Sequence, residues 1–459
     1  MAQLFGHQFQ QDSDIEKQIS TLISSVEKHS AKIEGPRDPQ PEFAASNKAL
    51  ADKSGEVRGR GLFFPYIGSG LGRGPYAELE DGSIKIDLIN GIGINIFGHS
   101  HPRLMAAAVR GAIQDVVIQG NLQIGKEWLE LSKKLVEIAS RNSPLKYAWI
   151  TTSGSMSGEN ALKMCRQKTN AAKKIISMKH AFAGRSQMMA EITDNDTMRV
   201  GLPRYDEVER IPFYDKNDPQ STEKSLRALK EIVAKHKGDI CTFVFEPMQG
   251  EGGYNVAPKE FFEPLLAFTK EHGIPNWFDE VQTFCRTGEF FAYETLGLGK
   301  YVDICTVAKT LQAGATLYTE ELNPQPGLIA GTFAGSSAAL SAGLEVLNML
   351  DNDGYLGKDG KIWTLHHQFV DGLKMLNETS CKGLLQDAGG LGLMCAVTPL
   401  DGSKEKMMEL IQVLYKNGLV TFGCGRGPFR LRFLLPAVMT EADVKVALSI
   451  IEKSVLELA

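Results

Sequence analysis

Cysteine is scarce in this 459-residue chain, and its distribution follows no pattern. The seven cysteines stand singly, without a CxxC pair or the Cys/His spacing that is typical of a zinc site. An odd, scattered set argues against a disulfide framework and against a structural metal. We therefore predict a cytoplasmic protein that binds no metal.

Long apolar runs and an excess of either charge are also missing. No stretch approaches the 18 apolar residues of a membrane-spanning helix. The first residues, MAQLFGHQFQQDSDIEKQ, lack the basic and apolar regions of a secretory signal. The net charge of -5 offers no electrostatic footprint for a polyanion. These absences predict that neither nucleic acid nor a membrane is a partner.

What the sequence does contain is typical of a globular protein, with 43% hydrophobic and 23% charged residues. Between about residues 100 and 345, helical patterns alternate with short runs that are apolar throughout. Such runs suit strands buried on both faces, so with helices between them they predict a mainly parallel α/β sheet. The predicted strands are Tyr147–Thr151, Lys174–Met178, Cys241–Phe245, Ile274–Phe278 and Val302–Val307.

The two ends of the chain have a different pattern. A helix is predicted over Ile15–Ser30, and residues 35–43 form a loop because Pro and Gly interrupt them. Asp81-Gly82 between alternating runs predicts a hairpin. The region after Gly354 is mixed and ends in a predicted helix, Glu441–Leu458, which favours a separate α+β lobe.

Ligands of parallel sheets gather beyond the carboxyl ends of the strands. After Tyr147–Thr151 comes a Gly/Ser-rich stretch, Thr152–Lys163, that opens a helix. Its backbone N–H groups and the helix N-terminus are suited to a phosphate. The alternative is that these small residues only cap the helix.

Three further strand ends carry side chains that could react with a ligand or bind it. Asp279 follows the run Ile274–Phe278, although a carboxylate there could also form a local salt bridge. Lys309 follows the run from residue 302, where desolvation lowers the pKa of an amine and favours an imine. His180–Arg185 supplies an aromatic ring and a guanidinium. Together with the phosphate site, this set predicts pyridoxal phosphate, which needs a lysine and a carboxylate on its ring nitrogen.

The same features belong to a longer series of motifs that resembles the class III (subgroup II) pyridoxal-phosphate aminotransferases. That group holds the 4-aminobutyrate, ornithine, acetylornithine and lysine ε-aminotransferases, and the resemblance runs from about residue 75 to 440. It is carried by Ile86–Pro102, Ser153–Lys163, Phe182–Arg185, Glu246–Glu251, Phe278–Thr283, Arg286–Gly288, Ala308–Lys309, Gly331–Thr332 and Leu431–Phe433.

The resemblance implies the type I fold of pyridoxal-phosphate-dependent transferases. This is an α/β fold with a mainly parallel, seven-stranded-type sheet in a large domain and a small α+β domain built from both chain ends. Residues 1–90 would form an N-terminal segment and part of the small domain. Residues 91–345 would form the large cofactor-binding domain, and residues 346–459 the remainder of the small domain.

The resemblance also implies roles for the cofactor residues. Lys309 would form the imine and move the proton, while Asp279 would pair with the ring nitrogen. Gln282 would contact the ring hydroxyl and Phe182 would stack on the ring, unless Phe182 is plain core. The phosphate would lie on Gly154 and Ser155, with Thr332 reaching in from a second subunit, so a homodimer with shared active sites is expected.

For the substrates, the resemblance implies carboxylate recognition. Arg185 would hold a carboxylate, and Glu251 with Arg432 would form a pair that opens for glutamate or 2-oxoglutarate. The alternative is that Arg432 and Arg430 are ordinary surface arginines. The predicted reaction transfers an amino group, from the distal amine of an ω-amino or diamino acid, to 2-oxoglutarate. An isomerase, racemase or decarboxylase of the same fold, or a non-catalytic relative, remains the alternative.

The chain departs from the pattern of these aminotransferases at several positions. Ala183 stands where His is usual, and Gly158 stands where Asn is common. Residues 310–314 read TLQAG instead of a Gly-rich run, which puts the identity of the donor in doubt. Ser153 and Met156 occupy the places of cluster-binding cysteines in some relatives, so no iron–sulfur cluster is expected. His99 and His101 lack an acidic neighbour in sequence, and we expect a structural role for them.

Overall fold

A computed structural model describes residues 4–115 and 122–459 of the chain. Within these ranges the strands are β1 (Gly68–Arg73), β2 (Tyr76–Leu79), β3 (Ile84–Asp87), β4 (Tyr147–Thr151), β5 (Lys174–Met178), β6 (Val208–Ile211), β7 (Ile240–Phe245), β8 (Met248–Gln249), β9 (Asn255–Val256), β10 (Asn276–Asp279), β11 (Ile304–Val307), β12 (Gly314–Tyr318), β13 (Leu385–Leu391), β14 (Met394–Pro399), β15 (Leu419–Val420), β16 (Phe422–Cys424) and β17 (Arg430–Leu434).

The α-helices flank these strands in chain order. They span Phe5–Gln10, Ser13–Ser30, Ala44–Arg58, Pro102–Ala112, Lys126–Ala139, Gly154–Lys168, Gln187–Ile192, Ser221–Lys235, Lys259–Glu271, Ala292–Thr295, Ser337–Asn352, Lys361–Glu378, Lys404–Lys416 and Glu441–Leu458. Asn90–Gly93 forms one further helical turn, whose residues all have positive φ. None of the described helices is both long and apolar enough to cross a membrane.

A seven-stranded sheet forms the centre, in the order β4–β12–β11–β10–β7–β5–β6. All neighbours pair in parallel except those of β12, which is antiparallel to both β4 and β11. Every residue of β7, β10 and β11 is buried, as expected for apolar strands covered on both faces. Because these strands run in one direction, their carboxyl ends meet at one edge of the sheet.

Two four-stranded sheets and the short pair β8–β9 lie outside this centre in the described residues. The two four-stranded sheets differ in how their strands pair. In one, the C-terminal strand β15 pairs in parallel with the N-terminal strand β3, so the two ends of the chain are joined. The other is antiparallel, in the order β13–β14–β17–β16, and carries Arg432 on β17. The type I fold with its second, mixed α/β part from both chain ends is therefore confirmed, whereas the domain boundaries after residues 90 and 345 stay a prediction.

The local predictions match the structure unevenly. β4, β5 and the last helix have the predicted bounds, and β2 and β3 form the hairpin around Asp81-Gly82. The start of β10 was predicted two residues early, at Ile274, and that of β11 two residues early, at Val302. β6 and β12 were not predicted at all. β12 begins at Gly314 and follows the turn after Lys309 closely, so its sequence resembles the continuation of a loop.

Candidate active site

The carboxyl ends of the central strands surround a cavity of about 360 Å³. The structure brings eight of the predicted site residues to its lining, namely Gly154, Ser155, Phe182, Arg185, Glu251, Asp279, Gln282 and Lys309. Arg432 lies behind Glu251, and Thr332 lies apart from this cavity. One strand-end cavity therefore collects the groups that the sequence placed on separate strand ends.

The floor of the cavity is the start of helix Gly154–Lys168. Ser153 caps this helix, because its side chain accepts a hydrogen bond from the Met156 N–H at 3.3 Å. The first N–H groups of a helix have no partner within it, so those of Gly154 and Ser155 are available to a ligand. A Cβ on Gly154 would lie 2.7 Å from the Val281 side chain, which requires glycine there.

Asp279 ends β10 and is 6% exposed. Its Oδ1 accepts hydrogen bonds from the Val281 N–H at 3.1 Å and from the Thr306 hydroxyl at 3.3 Å. Within the described part of the chain, its Oδ2 accepts none. Burial raises the pKa of Asp279 to about 7, since only Lys309 and these two hydrogen bonds favour the charged form. A cationic N–H donor is what this carboxylate lacks.

Lys309 follows β11 and has a left-handed backbone conformation, with φ of 53°. Such a conformation is costly for a residue with a side chain and is concentrated at functional sites. Burial, together with the charges of Arg286 and Arg432, lowers the pKa of Lys309 to about 8. Its Nζ makes no hydrogen bond within residues 4–115 and 122–459. A neutral amine near physiological pH is a nucleophile and a proton acceptor.

Phe182 is held at the side of the cavity by its backbone. Its N–H donates to Glu246 Oε1 at 2.9 Å, and the other oxygen of Glu246 accepts from the Gly250 N–H, also at 2.9 Å. Glu246 thereby joins the loop of Phe182 to the loop that carries Glu251. Burial raises the pKa of Glu246 to about 8. Ala183, next to Phe182 in sequence, is buried and brings no polar side chain to the cavity.

Two arginines define the outer part of the site. Arg432 is 4% exposed, and its Nη1 donates to Glu251 Oε1 at 2.6 Å. Its Nε–H is buried, and no described residue accepts a hydrogen bond from it. The Arg185 guanidinium lies 5.6 Å from the centre of the Phe182 ring and pairs with no carboxylate of the described chain. The interpretation of Arg432 as an ordinary surface arginine is therefore wrong, because its guanidinium is buried.

Three groups of the site were not given a role by sequence reasoning. Glu246 stands in a motif that was noticed, EPMQGE, but its two backbone contacts depend on folding. Gln312 has φ of 62°, lines the cavity and donates to the Ile94 carbonyl at 3.0 Å. The Arg286 guanidinium is buried and donates to the Gly93 carbonyl. The only sequence signal for Gln312 is its place in the unusual TLQAG stretch.

These residues fit pyridoxal phosphate on grounds internal to the structure. The helix start offers free N–H groups to a phosphate, and Asp279 is a buried carboxylate that lacks a cation. Gln282 exposes an amide to the same cavity, and it makes no side-chain hydrogen bond within the described ranges. Lys309 supplies an amine with a lowered pKa. The cavity therefore matches an anionic, ring-nitrogen-bearing aldehyde.

Comparison with known families decides the identity. The family model of "Aminotransferase class-III" matches residues 68–455. The chain belongs to the class-III aminotransferase family. Members of this family are pyridoxal-phosphate-dependent transaminases, and this chain is one of them. When bound, the cofactor supplies an electron sink for the carbon next to the reacting amine.

Individual relatives of this class-III aminotransferase support the same assignment. A probable 4-aminobutyrate aminotransferase of Bacillus subtilis is 30% identical over 410 residues, covering 83% of this chain and 91% of the relative. The 5-aminovalerate aminotransferase of Pseudomonas aeruginosa is 28% identical over 425 residues, covering 88% and 96%. The structure of a lysine aminotransferase from M. tuberculosis in the internal aldimine form matches with a TM-score of 0.79 at 20% identity, covering 89% of this chain and all of that one.

Proposed function

We propose that this transaminase transfers the distal amine of an ω-amino or diamino acid to 2-oxoglutarate, giving glutamate and a semialdehyde. The names of its relatives support this donor class, since 4-aminobutyrate, 5-aminovalerate and lysine each carry an amine far from a carboxylate. The substrates are then an amino donor and a keto acid, both small and both anionic or zwitterionic.

The observation that carries the proposal is the pairing of Glu251 with Arg432. An ω-amino acid carries a single carboxylate, for which the unpaired Arg185 suffices. Glutamate and 2-oxoglutarate carry two carboxylates and need a second cation. Arg432 provides it when Glu251 moves away, and its unpartnered, buried Nε–H is available to that second carboxylate. One site thus alternates between two kinds of substrate.

The reacting centre depends on two residues of the chain. The Lys309 amine, with its lowered pKa, accepts and returns the proton that moves between the substrate carbon and the cofactor. Asp279 holds a proton on the ring nitrogen, and this ionic contact offsets the desolvation of the carboxylate. Lys309 is the proposed acid–base group, and Asp279 is the proposed electrostatic partner of the ring.

The other cofactor contacts fix its position. Gly154 and Ser155 would bind the phosphate through the helix start, and Gln282 would contact the ring hydroxyl. Phe182 would cover the ring and exclude water from it. These four residues would hold the cofactor in the cavity that Lys309 also lines.

Thr332 supports a homodimer in which each subunit completes the site of the other. It is exposed on the segment between residues 330 and 336, away from the cavity of its own chain. Its neighbour Phe333 exposes 66% of its surface, which is unusual for a large aromatic side chain. A second copy of the chain would cover Phe333 and receive Thr332 at its phosphate site.

Glutamate formation from a panel of donors tests this function. The purified protein, loaded with cofactor, is supplied with 2-oxoglutarate and one of 4-aminobutyrate, 5-aminovalerate, L-ornithine or L-lysine. L-Alanine serves as the control donor, because its amine is adjacent to the carboxylate. The proposal predicts glutamate from at least one distal amine at a rate well above that with L-alanine. Donor consumption without glutamate would instead indicate an isomerase or decarboxylase.

A further inference from the structure

Arg286 is a buried cation next to the proposed active site. It is 2% exposed and is among the largest fully buried side chains of the described chain. Within residues 4–115 and 122–459 its guanidinium forms no ion pair with a carboxylate. A buried charge without a partner is expensive, because it loses its hydration without gaining an opposite charge. Burial accordingly lowers the pKa of Arg286 to about 10. Such a group calls for an explanation.

The hydrogen bonds of Arg286 go to backbone carbonyls of two loops. Nη1 donates to the Gln282 carbonyl at 2.9 Å and to the Phe284 carbonyl at 3.3 Å. Nη2 donates to the Gly93 carbonyl. Because carbonyls carry only partial charges, these contacts satisfy three of the five N–H donors but do not neutralise the cation. Arg286 therefore connects the loop of Gln282 with the turn Asn90–Gly93 while keeping its full charge.

The turn on which Arg286 acts is itself strained. Asn90, Gly91, Ile92 and Gly93 all have φ between 55° and 86°, and Ile92 is β-branched, for which this region is a clear outlier. The Gly93 carbonyl also accepts from the Thr310 hydroxyl at 3.4 Å, and Thr310 directly follows Lys309. A Cβ on Gly93 would lie 3.0 Å from Arg286 Nη2. The Gly93 carbonyl of the strained turn thus accepts hydrogen bonds from both Thr310 of the lysine loop and Arg286.

The charge of Arg286 acts on Lys309 as well. Four charged groups influence the Lys309 amine: Arg286 and Arg432 disfavour its protonated form, whereas Glu251 and Asp279 favour it. Glu251 pairs with Arg432, so these two largely cancel. Asp279 is the group expected to pair with the cofactor. Arg286 is then the one charge near Lys309 that neither another side chain nor the cofactor is expected to compensate.

We propose that Arg286 is a positioning residue that fixes the Gly93 carbonyl, to which Thr310 of the lysine loop is bonded, and that its uncompensated charge favours the neutral form of the Lys309 amine. This proposal rests on the proposed role of Lys309, but not on the donor or on the transfer to 2-oxoglutarate. It predicts that the charge of residue 286, rather than its size, sets the pH at which Lys309 becomes reactive.

The test measures how fast the cofactor-free protein captures pyridoxal 5′-phosphate as a function of pH. Capture requires the neutral amine, so the rate rises with pH and levels off above the pKa of Lys309, about 8. Arg286→Gln retains a hydrogen-bond donor but removes the charge, whereas Arg286→Lys retains the charge. The rates are followed by the visible absorbance of the captured cofactor, without any substrate. Arg103→Gln, on the exposed face of helix Pro102–Ala112, is the control.

We expect Arg286→Gln to move the midpoint of the rate profile to higher pH, with Arg286→Lys and Arg103→Gln close to the unsubstituted protein. A rise of one unit would reduce the capture rate at pH 8 about fivefold. A midpoint that stays in place in Arg286→Gln would overturn the proposal, even if the overall rate fell, because a merely structural residue changes the amplitude and not the midpoint. A shifted midpoint in Arg286→Gln, together with a lack of transamination by the unsubstituted protein, would instead support the role of Arg286 and contradict the proposed function alone.

Discussion

Replacing Asp279 by Asn is predicted to stabilise the cofactor-free protein while weakening its response to the cofactor. The carboxylate is buried at the end of β10, and burial raises its pKa from 3.8 to about 7. The only hydrogen bonds that the described residues donate to it come from the Val281 N–H and the Thr306 hydroxyl. The ionised side chain is therefore more stable in the unfolded chain than in the folded one.

The size of this effect follows from the pKa shift. A change from 3.8 to about 7 is roughly three units, and at about 1.4 kcal/mol per unit it amounts to about 4 kcal/mol. For an acid whose pKa is raised by folding, the cost is absent below the unfolded pKa and complete above the folded one. Folding of the cofactor-free protein should thus lose stability between about pH 4 and pH 7 through Asp279 alone.

Asp279→Asn keeps the shape and the oxygen that accepts both hydrogen bonds, but removes the charge. At pH 8 the free energy of unfolding of the cofactor-free variant should exceed that of the unsubstituted protein by up to about 4 kcal/mol. The variant should therefore unfold at a higher urea concentration. The difference should shrink toward pH 5. Added pyridoxal phosphate should stabilise the unsubstituted protein far more than the variant, because only the carboxylate pairs with a ring cation.

The neighbouring acid provides a matched control. Burial also raises the pKa of Glu280 to about 7, but its oxygens accept from the Thr283 hydroxyl and the backbone N–H groups of Ala292 and Tyr293 at 2.6–2.9 Å. In Glu280→Gln one oxygen becomes an NH₂ group that faces these donors, and the loss of these hydrogen bonds opposes the gain from removing the charge. This variant should therefore be stabilised less than Asp279→Asn, with or without cofactor. If Asp279→Asn destabilised the cofactor-free protein at pH 8, the reasoning about an uncompensated carboxylate would be refuted.

Three further predictions concern the phosphate site, the substrates and the subunits. Gly154→Ala places a Cβ 2.7 Å from a valine side chain, so the affinity for the cofactor measured by equilibrium dialysis should fall at least tenfold. An unchanged affinity would show that the phosphate binds elsewhere. Arg185→Ala should slow the half-reaction with the amino donor and Arg432→Ala the half-reaction with 2-oxoglutarate, both followed in single-turnover absorbance; equal losses in both would contradict this division. Mixing inactive Lys309→Ala and Thr332→Ala subunits should restore activity, because one site of each hybrid dimer is intact; no recovery in verified hybrids would exclude a shared site.

Much of the fold and of the candidate site could be predicted from the sequence, because strands buried on both faces are apolar throughout. Lys174–Met178, which is buried from Ile175 onward, has the predicted bounds for this reason. Tyr147–Thr151 also has the predicted bounds, although its first three residues are half-buried. The groups at the strand ends follow directly, since parallel strands share one edge. β12 was not predicted, because its five residues begin with glycine directly after the lysine turn and show no hydrophobic periodicity of their own. Their strand conformation depends on antiparallel pairing with β4 and β11.

The remaining features depend on tertiary partners that no local sequence records. A lone arginine in a sequence does not reveal whether a carboxylate will meet it. The pairing of Arg432 with Glu251 was expected only from the resemblance to a family, and the isolation of Arg286 was not expected at all. The same holds for Glu246, whose function of joining two loops exists only once both loops are folded. The reactive groups of a site are therefore easier to predict from residue identity than the burial and charge partners that set their pKa values.

The absorbance spectrum of the purified protein, recorded before and after adding L-glutamate without a keto acid, tests the central claim most directly. A pyridoxal-phosphate aminotransferase that uses glutamate and 2-oxoglutarate should show a visible band that disappears on addition of glutamate, while near-ultraviolet absorbance of the aminated cofactor grows. A visible band that does not respond to glutamate would contradict the proposed acceptor half-reaction. A protein that captures no cofactor even after reconstitution would contradict the account of the site as a whole.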